Sequence, residues 1–318
     1  MSGGVHKPVM LQEVLDLLQP RDGGIYVDGT FGRGGYSRAL LEAADCTVYA
    51  IDRDRAAIAA GETLARDHAN RLILIEGAFG AMDSLLGLAG VTLVDGIALD
   101  LGVSSPQLDD AARGFSFQHD GPLDMRMAAE GLTAAEVVNT YEEKELAEIL
   151  RRYGEERKAR QVARAIVAAR AEQPIERTLA LAEIVRRTVR QSKDKIDPAT
   201  RTFQGLRIYV NDELGELERG LRAAEKLLAP GGRIAVVSFH SLEDRIVKSF
   251  LRERSLQRPQ GSRHLPFAEP EGPASFDLIS RGAIKPSEAE TRSNPRARSA
   301  RLRGAERLAA AAAQGGGA

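Results

Sequence analysis

Between residues 26 and 36 the chain reads Tyr26-Val-Asp-Gly-Thr-Phe-Gly-Arg-Gly-Gly-Tyr36, a short β-type run that breaks into glycines and then opens a helical segment. A second β-type run, Thr47 to Asp52, ends on an acid 20 residues after Gly32. Strand, glycine turn, helix, strand and acid is the order in which a parallel α/β sheet holds a nucleoside. The glycines let the backbone approach the ligand, and an acid at the tip of the second strand accepts both ribose hydroxyls.

The glycine spacing narrows the choice of nucleoside. A dinucleotide fingerprint needs G-x-G-x-x-G. Counted from Gly32, its third glycine falls on Ser37; counted from Gly29, its second falls on Phe31. Hydride chemistry with a nicotinamide therefore lacks its fingerprint. The pattern present is D-x-x-x-G-x-G, from Asp28 through Gly32 and Gly34. It matches the loop of methyltransferases that use S-adenosylmethionine, which cradle no pyrophosphate and whose loop acid hydrogen-bonds the methionine ammonium or nearby water. Thr30 occupies the place of that loop's usual extra glycine.

The run of alternating strands and helices extends the reading. Strands are expected at Ile25 to Asp28, Thr47 to Asp52, Arg71 to Glu76 and Asp95 to Asp100, with helices at Tyr36 to Ala44, Arg55 to Asp67 and Ala81 to Ala89. Such alternation implies an α/β fold with a doubly wound parallel sheet. Ligands of these sheets sit beyond the carboxyl ends of the strands. Gly32, Asp52, the stretch 77–79 and Asp100 all fall there.

From Thr133 to Glu225 the pattern is helical instead. Thr133 with Glu136, and Thr140 with Glu143, read as capping boxes. Further helices are expected at Gln161 to Glu172, Leu179 to Gln191 and, as one long element, Ala199 to Leu228. Pro230-Gly-Gly then ends the helix, and Arg233 to Phe239 reads as a fifth, buried strand. The expected organisation is a Rossmann-like domain of residues 1–109 and 213–318, interrupted by a helical substrate-recognition subdomain of residues 110–212. Arg252 to Ser280 reads as loop.

Charge and cysteine content bound the partners. The formal net charge is −1, so nucleic-acid contacts must come from local patches. One such patch runs from Arg186 to Arg207, with seven Lys or Arg against two Asp, and Arg157, Lys158, Arg160 and Arg164 add to it. It reads either as a solvated face or as a phosphate-binding one. The stretch Asn294 to Arg303 likewise reads either as a final strand with solvated arginines or as a phosphate contact. Cys46 is the single cysteine, which fits a cytoplasmic location, and with five scattered His it provides no metal-ligand spacing. No metal and no membrane are expected: no apolar run approaches the ~20 residues of a bilayer span. The segment Ala309 to Ala318 is expected to fray.

Several segments together resemble one family: His6–Met10, Asp28–Gly35, Ala50–Asp54, Leu99–Asp110, Arg113–Phe117, Asp120–Met127, Tyr153–Arg157, Thr200–Gln204, Ser238–Lys248 and Asn294–Ser299. The chain is similar nearly end to end to the RsmH (MraW) family, methyltransferases acting on N4 of a cytidine in 16S ribosomal RNA of the small ribosomal subunit. The resemblance implies a Rossmann-like fold with a helical insert. The implied cofactor is S-adenosyl-L-methionine, held by Gly34, Gly35, Tyr36, Asp52, Phe79, Asp100 and Gln107. Many members carry His where Tyr36 stands, so a backbone contact there is expected to persist while a side-chain role is open. A homodimer is also left open.

Catalytic residues are less determined, with Asp100, Ser104, Ser105 and His240 as candidates. Cytosine N4 is a poor nucleophile because its lone pair is delocalised into the ring. Alignment of nucleophile, methyl carbon and sulfur is therefore expected to supply much of the catalysis. Amino-group methyltransferases place an acidic or amide residue, prolines and an aromatic after strand four. Ser104–Gln107 is the nearest equivalent, without the aromatic; Phe115, Phe117, Tyr209 and Phe239 are substitutes. Asp100 either contacts the cofactor or holds the amine. Asp52 is otherwise a helix cap, Phe79 is otherwise core, and His240 is either a general base or a hydrogen-bonded structural residue. Asp120, Asp124 and Arg126 either order a loop over the site or form structural ion pairs.

Overall fold

Apolar side chains alternate between two faces along each inner strand, which requires a sheet covered on both sides. On β1 (Ile25–Asp28) Tyr26 and Val27 enter opposite cores, and on β5 (Leu228–Ser238) Ile234 and Val236 oppose Ala235 and Val237. The other strands are β2 (Thr47–Asp52), β3 (Leu72–Glu76), β4 (Val94–Asp100), β6 (Phe276–Leu278) and β7 (Arg301–Arg307). In the computed structural model, which describes residues 8–68, 70–189, 197–255 and 273–309, they form one sheet ordered β3-β2-β1-β4-β5-β7-β6. The first five are parallel, while β7 lies antiparallel between β5 and β6.

One face carries α1 (Leu11–Leu18), α2 (Gly35–Ala43) and α3 (Arg55–Asp67), through Leu17, Leu40 and Leu64. The other carries α4 (Met82–Leu88), together with the C-terminal helices α11 (Glu213–Leu227) and α12 (Ser241–Glu253), through Leu86, Leu221 and Phe250. This is the Rossmann-like class, with the strand order reversing direction between β1 and β4.

The chain divides into two compact units, 1–102 with 214–318 and 103–213. The second is helical: α5 (Ser105–Asp109), α6 (Ala134–Thr140), α7 (Glu143–Arg152), α8 (Ala159–Glu172), α9 (Thr178–Thr188) and α10 (Ala199–Val210). It has its own core of Leu146, Val162, Leu181 and Leu206, and it begins as early as Val103 because Val103 and Leu108 already pack there. Helix α13 (Glu288–Ser293) belongs to the first unit.

Local structure departs from expectation at four places. The single helix Ala199 to Leu228 is two, because Asn211 turns its amide onto the segment 125–127. Its Oδ1 accepts from Met127 N at 2.8 Å, its Nδ2 donates to Met125 O at 2.7 Å, and Asp212 adopts φ 46°. The Thr133–Glu136 capping box is present, but Thr140 instead ends α6 and donates to Glu136 O. Helix α7 is capped by Glu142, whose N donates to Glu145 at 3.0 Å. Pro230-Gly-Gly lies within β5 as an irregularity, the register passing from Val94↔Leu228 to Gly96↔Arg233. The basic stretch after Asn294 forms a 3-10 turn, Pro295–Ser299, before β7 begins. His6 and Lys7, Arg190, Lys193 and Lys195, residues 256–272 of the expected loop and residues 310–318 lie outside the described residues.

Gly121 shows why the 120–127 segment tolerates little change. It donates to Thr178 Oγ1 at 3.0 Å and accepts from Thr178 N at 2.9 Å. A Cβ placed on it would lie 1.7 Å from Ala111 O, a backbone atom that cannot rotate away. Gly121→Ala is expected to lower stability by at least the ~1–3 kcal/mol typical of overpacking. Urea unfolding monitored on the helical unit checks this; an unchanged midpoint would contradict the close approach.

Candidate functional site

The loop after β1 is stitched to the strands on either side. Towards β4, Gly29 N donates to Ala98 O at 2.9 Å and Asp100 N donates to Thr30 Oγ1 at 2.7 Å. Towards β2, Phe31 N donates to Ile51 O at 2.9 Å and Gly32 N to Asp52 Oδ2 at 2.7 Å. Thr30, unexpected in such a loop, thus supplies an oxygen that a glycine lacks. Gly32 and Gly34 have φ of 53° and 70°, the left-handed region that glycine enters without a Cβ penalty. Gly34 is the N-cap of α2 and, being glycine, offers no side-chain cap of its own.

Asp28 holds this loop from beneath. It is 1% exposed, and its Oδ2 accepts from Ser37 Oγ at 2.7 Å and Ser37 N at 3.1 Å, while Oδ1 accepts from Thr30 N at 3.2 Å. The loop acid thus serves first to hold the turn: both lone pairs of Oδ2 go to Ser37, and Oδ1 is oriented by Thr30 N. Ser37, which breaks the dinucleotide pattern, is the residue that ties Asp28 to α2. Burial pushes the Asp28 carboxyl up to about 6, against the pull of those hydrogen bonds.

Two more acids end the neighbouring strands. Register pairs Asp28 with Ala50 and with Ala98, so Asp52 and Asp100 stand two residues beyond it on either side. Asp52 does not cap α3, because Asp54 does, accepting from Ala56 N. Its carboxylate receives Gly32 N and, on Oδ1, Asp54 N at 2.8 Å. Each oxygen retains a further lone pair. Burial raises its pKa. Asp100 is different: among the described residues its Oδ1 is shut off from solvent and has no hydrogen-bond partner. Burial, then the charges of Asp28 and Glu243, push this carboxyl well above the usual carboxylate range.

The remaining candidates are distributed as follows. Gly35 lies against Pro8. Tyr36 is buried, and its hydroxyl donates to Val9 O. Phe79 opens a 3-10 turn after β3, and its ring lies under Gly220 of α11, so it is half-buried core at a strand end. His240 caps α12: its Nδ1 accepts from Glu243 N at 3.4 Å, and its Nε2 is 3.1 Å from Glu243 Oε1. That is a structural use.

Ser104, Ser105 and Gln107 belong to the second unit. Ser104 caps α5, its N donating to Gln107 Oε1 at 3.0 Å, and the side chain of Ser105 lies outside the described residues. Phe115 is core of this unit, Phe117 packs edge-on against Phe203, and Tyr209 bonds Tyr141. Asp120 pairs with Arg177, and Asp124 with Arg126. In the basic run, Arg186 pairs with Asp197 and covers the Phe117 ring, Arg187 pairs with Glu183, and Arg207 with Glu213.

With this geometry in place, comparison with known proteins decides the family. The model of the MraW methylase family matches residues 4–308. The chain belongs to the MraW methylase family. A relative from Rhodospirillum centenum named ribosomal RNA small subunit methyltransferase H is 64% identical, over 97% of this chain and 94% of its own. One of the same name from Paramagnetospirillum magneticum is 62% identical, over 98% of both chains. Among solved structures, an rRNA methylase from Streptococcus thermophilus matches with a TM-score of 0.42 at 12% identity, over 96% of this chain and 100% of that one.

This MraW-family chain is a methyltransferase, and the cofactor of its family is S-adenosyl-L-methionine. The edge described above fits such a group. That molecule carries positive charge on sulfur and ammonium, and the edge offers a buried, unpartnered carboxyl oxygen on Asp100 beside the acids of two neighbouring strands.

The raised Asp28 gives a pH dependence whose sign can be worked out. The native carboxyl keeps its proton up to about 6, whereas the unfolded one releases it near 3.8. Its contribution to stability is therefore complete below about pH 4 and is lost as pH rises through about 6, on the order of 3 kcal/mol in all. Asp28→Asn is expected to flatten that limb of the stability–pH profile of the cofactor-free protein. Superimposable profiles for the two proteins would rule out this titration.

Proposed function

We propose that this methyltransferase transfers a methyl group from S-adenosyl-L-methionine to the exocyclic N4 of one cytidine in 16S ribosomal RNA, acting on the assembled small subunit near the decoding centre. The observation that carries the cofactor half of this reading is the unpartnered Asp100 carboxyl at the carboxyl edge of the sheet. The RNA half is supported by the relatives named as small-subunit ribosomal RNA methyltransferases. The reaction takes place in the cytoplasm, where ribosomes assemble.

When bound, the cofactor supplies an electrophilic methyl group on a sulfonium. The chain's own contribution is positioning. Gly34 and Gly35 start α2 with no side chain of their own over its first amides, and with Ser37 N taken by Asp28 the amides before it are assigned to the carboxylate of the methionine tail. Asp52 receives the ribose hydroxyls on its remaining lone pairs, already oriented by Gly32 N and Asp54 N. Asp100 is assigned to the cationic part of the cofactor. Phe79 and Gln107 are assigned to its remaining contacts, and Tyr36 contributes its backbone, since its hydroxyl is engaged by Val9 O. The helical unit is assigned to substrate recognition. A cytosine stacked in folded RNA has to be flipped out before its N4 can line up with the methyl group. Once aligned, the amine needs no strong base, because its proton becomes acidic only as the new bond forms.

A methyl-transfer assay on small subunits from a strain lacking this protein tests the proposal. Labelled S-adenosylmethionine is supplied, and the label is located by nucleoside mass spectrometry. Label on N4 of a single cytidine is the expected result; label on a carbon or on a ribose hydroxyl would overturn it. Separately, Asp52→Ala is expected to weaken binding of S-adenosylhomocysteine by roughly 1.5–3 kcal/mol, about ten- to hundredfold, the scale of hydrogen bonds to a charged group. Unaltered affinity in a calorimetric titration would remove Asp52 from the ribose.

A further inference from the structure

Beside the acidic edge lies a cavity of opposite character. It has a volume of about 500 Å³ and is formed where β5 runs into α12, closed by the chain around Lys285, Thr291 and Arg298–Arg301. Among the described residues, no carboxylate lines it. The two acids in the first turn of α12 are occupied within the protein. Glu243 accepts from Phe239 N at 2.8 Å and His240 N at 3.2 Å. Asp244, 6% exposed, accepts from Arg301 Nη1 at 2.9 Å and Arg303 Nε at 2.7 Å. Lys285 and Arg298 have no acidic partner among the described residues, and Arg301 is half exposed.

The basic character does not stop at this cavity. A second one, of about 310 Å³ and again without a carboxylate among the described residues, is bordered by Lys248, Arg252, Arg281 and Arg303. Arg301 borders the first cavity and Arg303 the second. They are two residues apart on β7, both directed to Asp244, about 6.6 Å along one face of a strand. A lone phosphate needs one such cavity. Two in file, cationic along their length, match a chain of phosphates.

We propose that this track along β7 and α12 binds the sugar–phosphate backbone of the RNA substrate, outside the nucleotide that is methylated. The proposal rests on the reading of RNA as substrate and adds where its backbone is held. It assigns this task to the sheet-bearing unit, whereas Arg186 and Arg187 of the helical unit are already ion-paired. Phosphate contacts of this kind fix register on the nucleic acid and carry no sequence information.

The test uses the full chain, in-vitro transcribed 16S ribosomal RNA and two double variants, Lys285→Gln with Arg298→Gln and Lys248→Gln with Arg252→Gln. RNA affinity is measured at several salt concentrations. Each variant is expected to bind RNA more weakly and to show a log–log salt slope shallower by about 1.5, at roughly 0.7–0.9 per lost contact. Affinity for S-adenosylhomocysteine is expected to stay at the wild-type value. RNA affinity and slope unchanged in both variants would overturn the proposal while leaving the RNA reading intact. Loss of inorganic phosphate binding alone, with RNA binding unaltered, would assign the cavities to small anions and equally overturn it. Wild-type protein that binds neither this RNA nor small subunits from a strain lacking it would instead remove the RNA reading itself.

Discussion

The arrangement of the sheet edge depends on one buried carboxylate. Asp28 takes three hydrogen bonds from two residues, Thr30 and Ser37, that lie on opposite sides of the glycine turn. With both ends tied to one side chain, the turn cannot open. Its backbone amides are then left to reach β4 through Gly29 and β2 through Phe31 and Gly32. The strand-end acids take their positions from this same stitching. Asp52 is oriented by Gly32, and the backbone of Asp100 is held by Thr30. Burying an ionisable group is costly, as the upward shift of the Asp28 carboxyl records. The hydrogen bonds from Ser37 and Thr30 offset part of that cost.

The electrostatics of the edge divide it in two. Around β1, β2 and β4 there is a surplus of carboxylates, and one oxygen of Asp100 is left without a partner in a dry place. Around β5, β7 and α12 the acids are consumed internally, and lysines and arginines line the free space. A cationic cofactor and a polyanionic substrate call for this kind of separation. If Asp244 did not clamp Arg301 and Arg303, two cations would repel along one face of β7; if it were exposed, it would spoil the cavity for phosphate. At 6% exposure it does the first without the second.

Much of the sheet was legible in the sequence because its code is simple. A buried parallel strand reads as a short apolar run, and four of these ended in the expected places, including Asp28, Asp52, Glu76 and Asp100. Less local signals were misread. Asn211 breaks a helix because of carbonyl and amide groups about 85 positions away in the chain, at Met125 and Met127, which no helical periodicity can register. Thr140 and Glu142 are both plausible caps by composition. What separates them is where α6 stops, and Thr140 stops it from inside by donating to Glu136 O. The structural role of Asp28 was not legible for a similar reason. A motif records that an acid is present but not which way its oxygens are spent.

The same distinction bears on Tyr36. The resemblance put His at this position in many members, while the backbone contact proposed there sits at the start of α2, which depends on Gly34 and Gly35 and not on the side chain. The phenol is buried, its hydroxyl donates to Val9 O, and burial together with Asp100 and Asp28 holds its pKa well above the usual phenol value. An imidazole at that position would exchange protons near neutral pH, next to two buried acids; a phenol does not. With a phenol there, the protonation of Asp100 is left to burial and to the neighbouring acids Asp28 and Glu243.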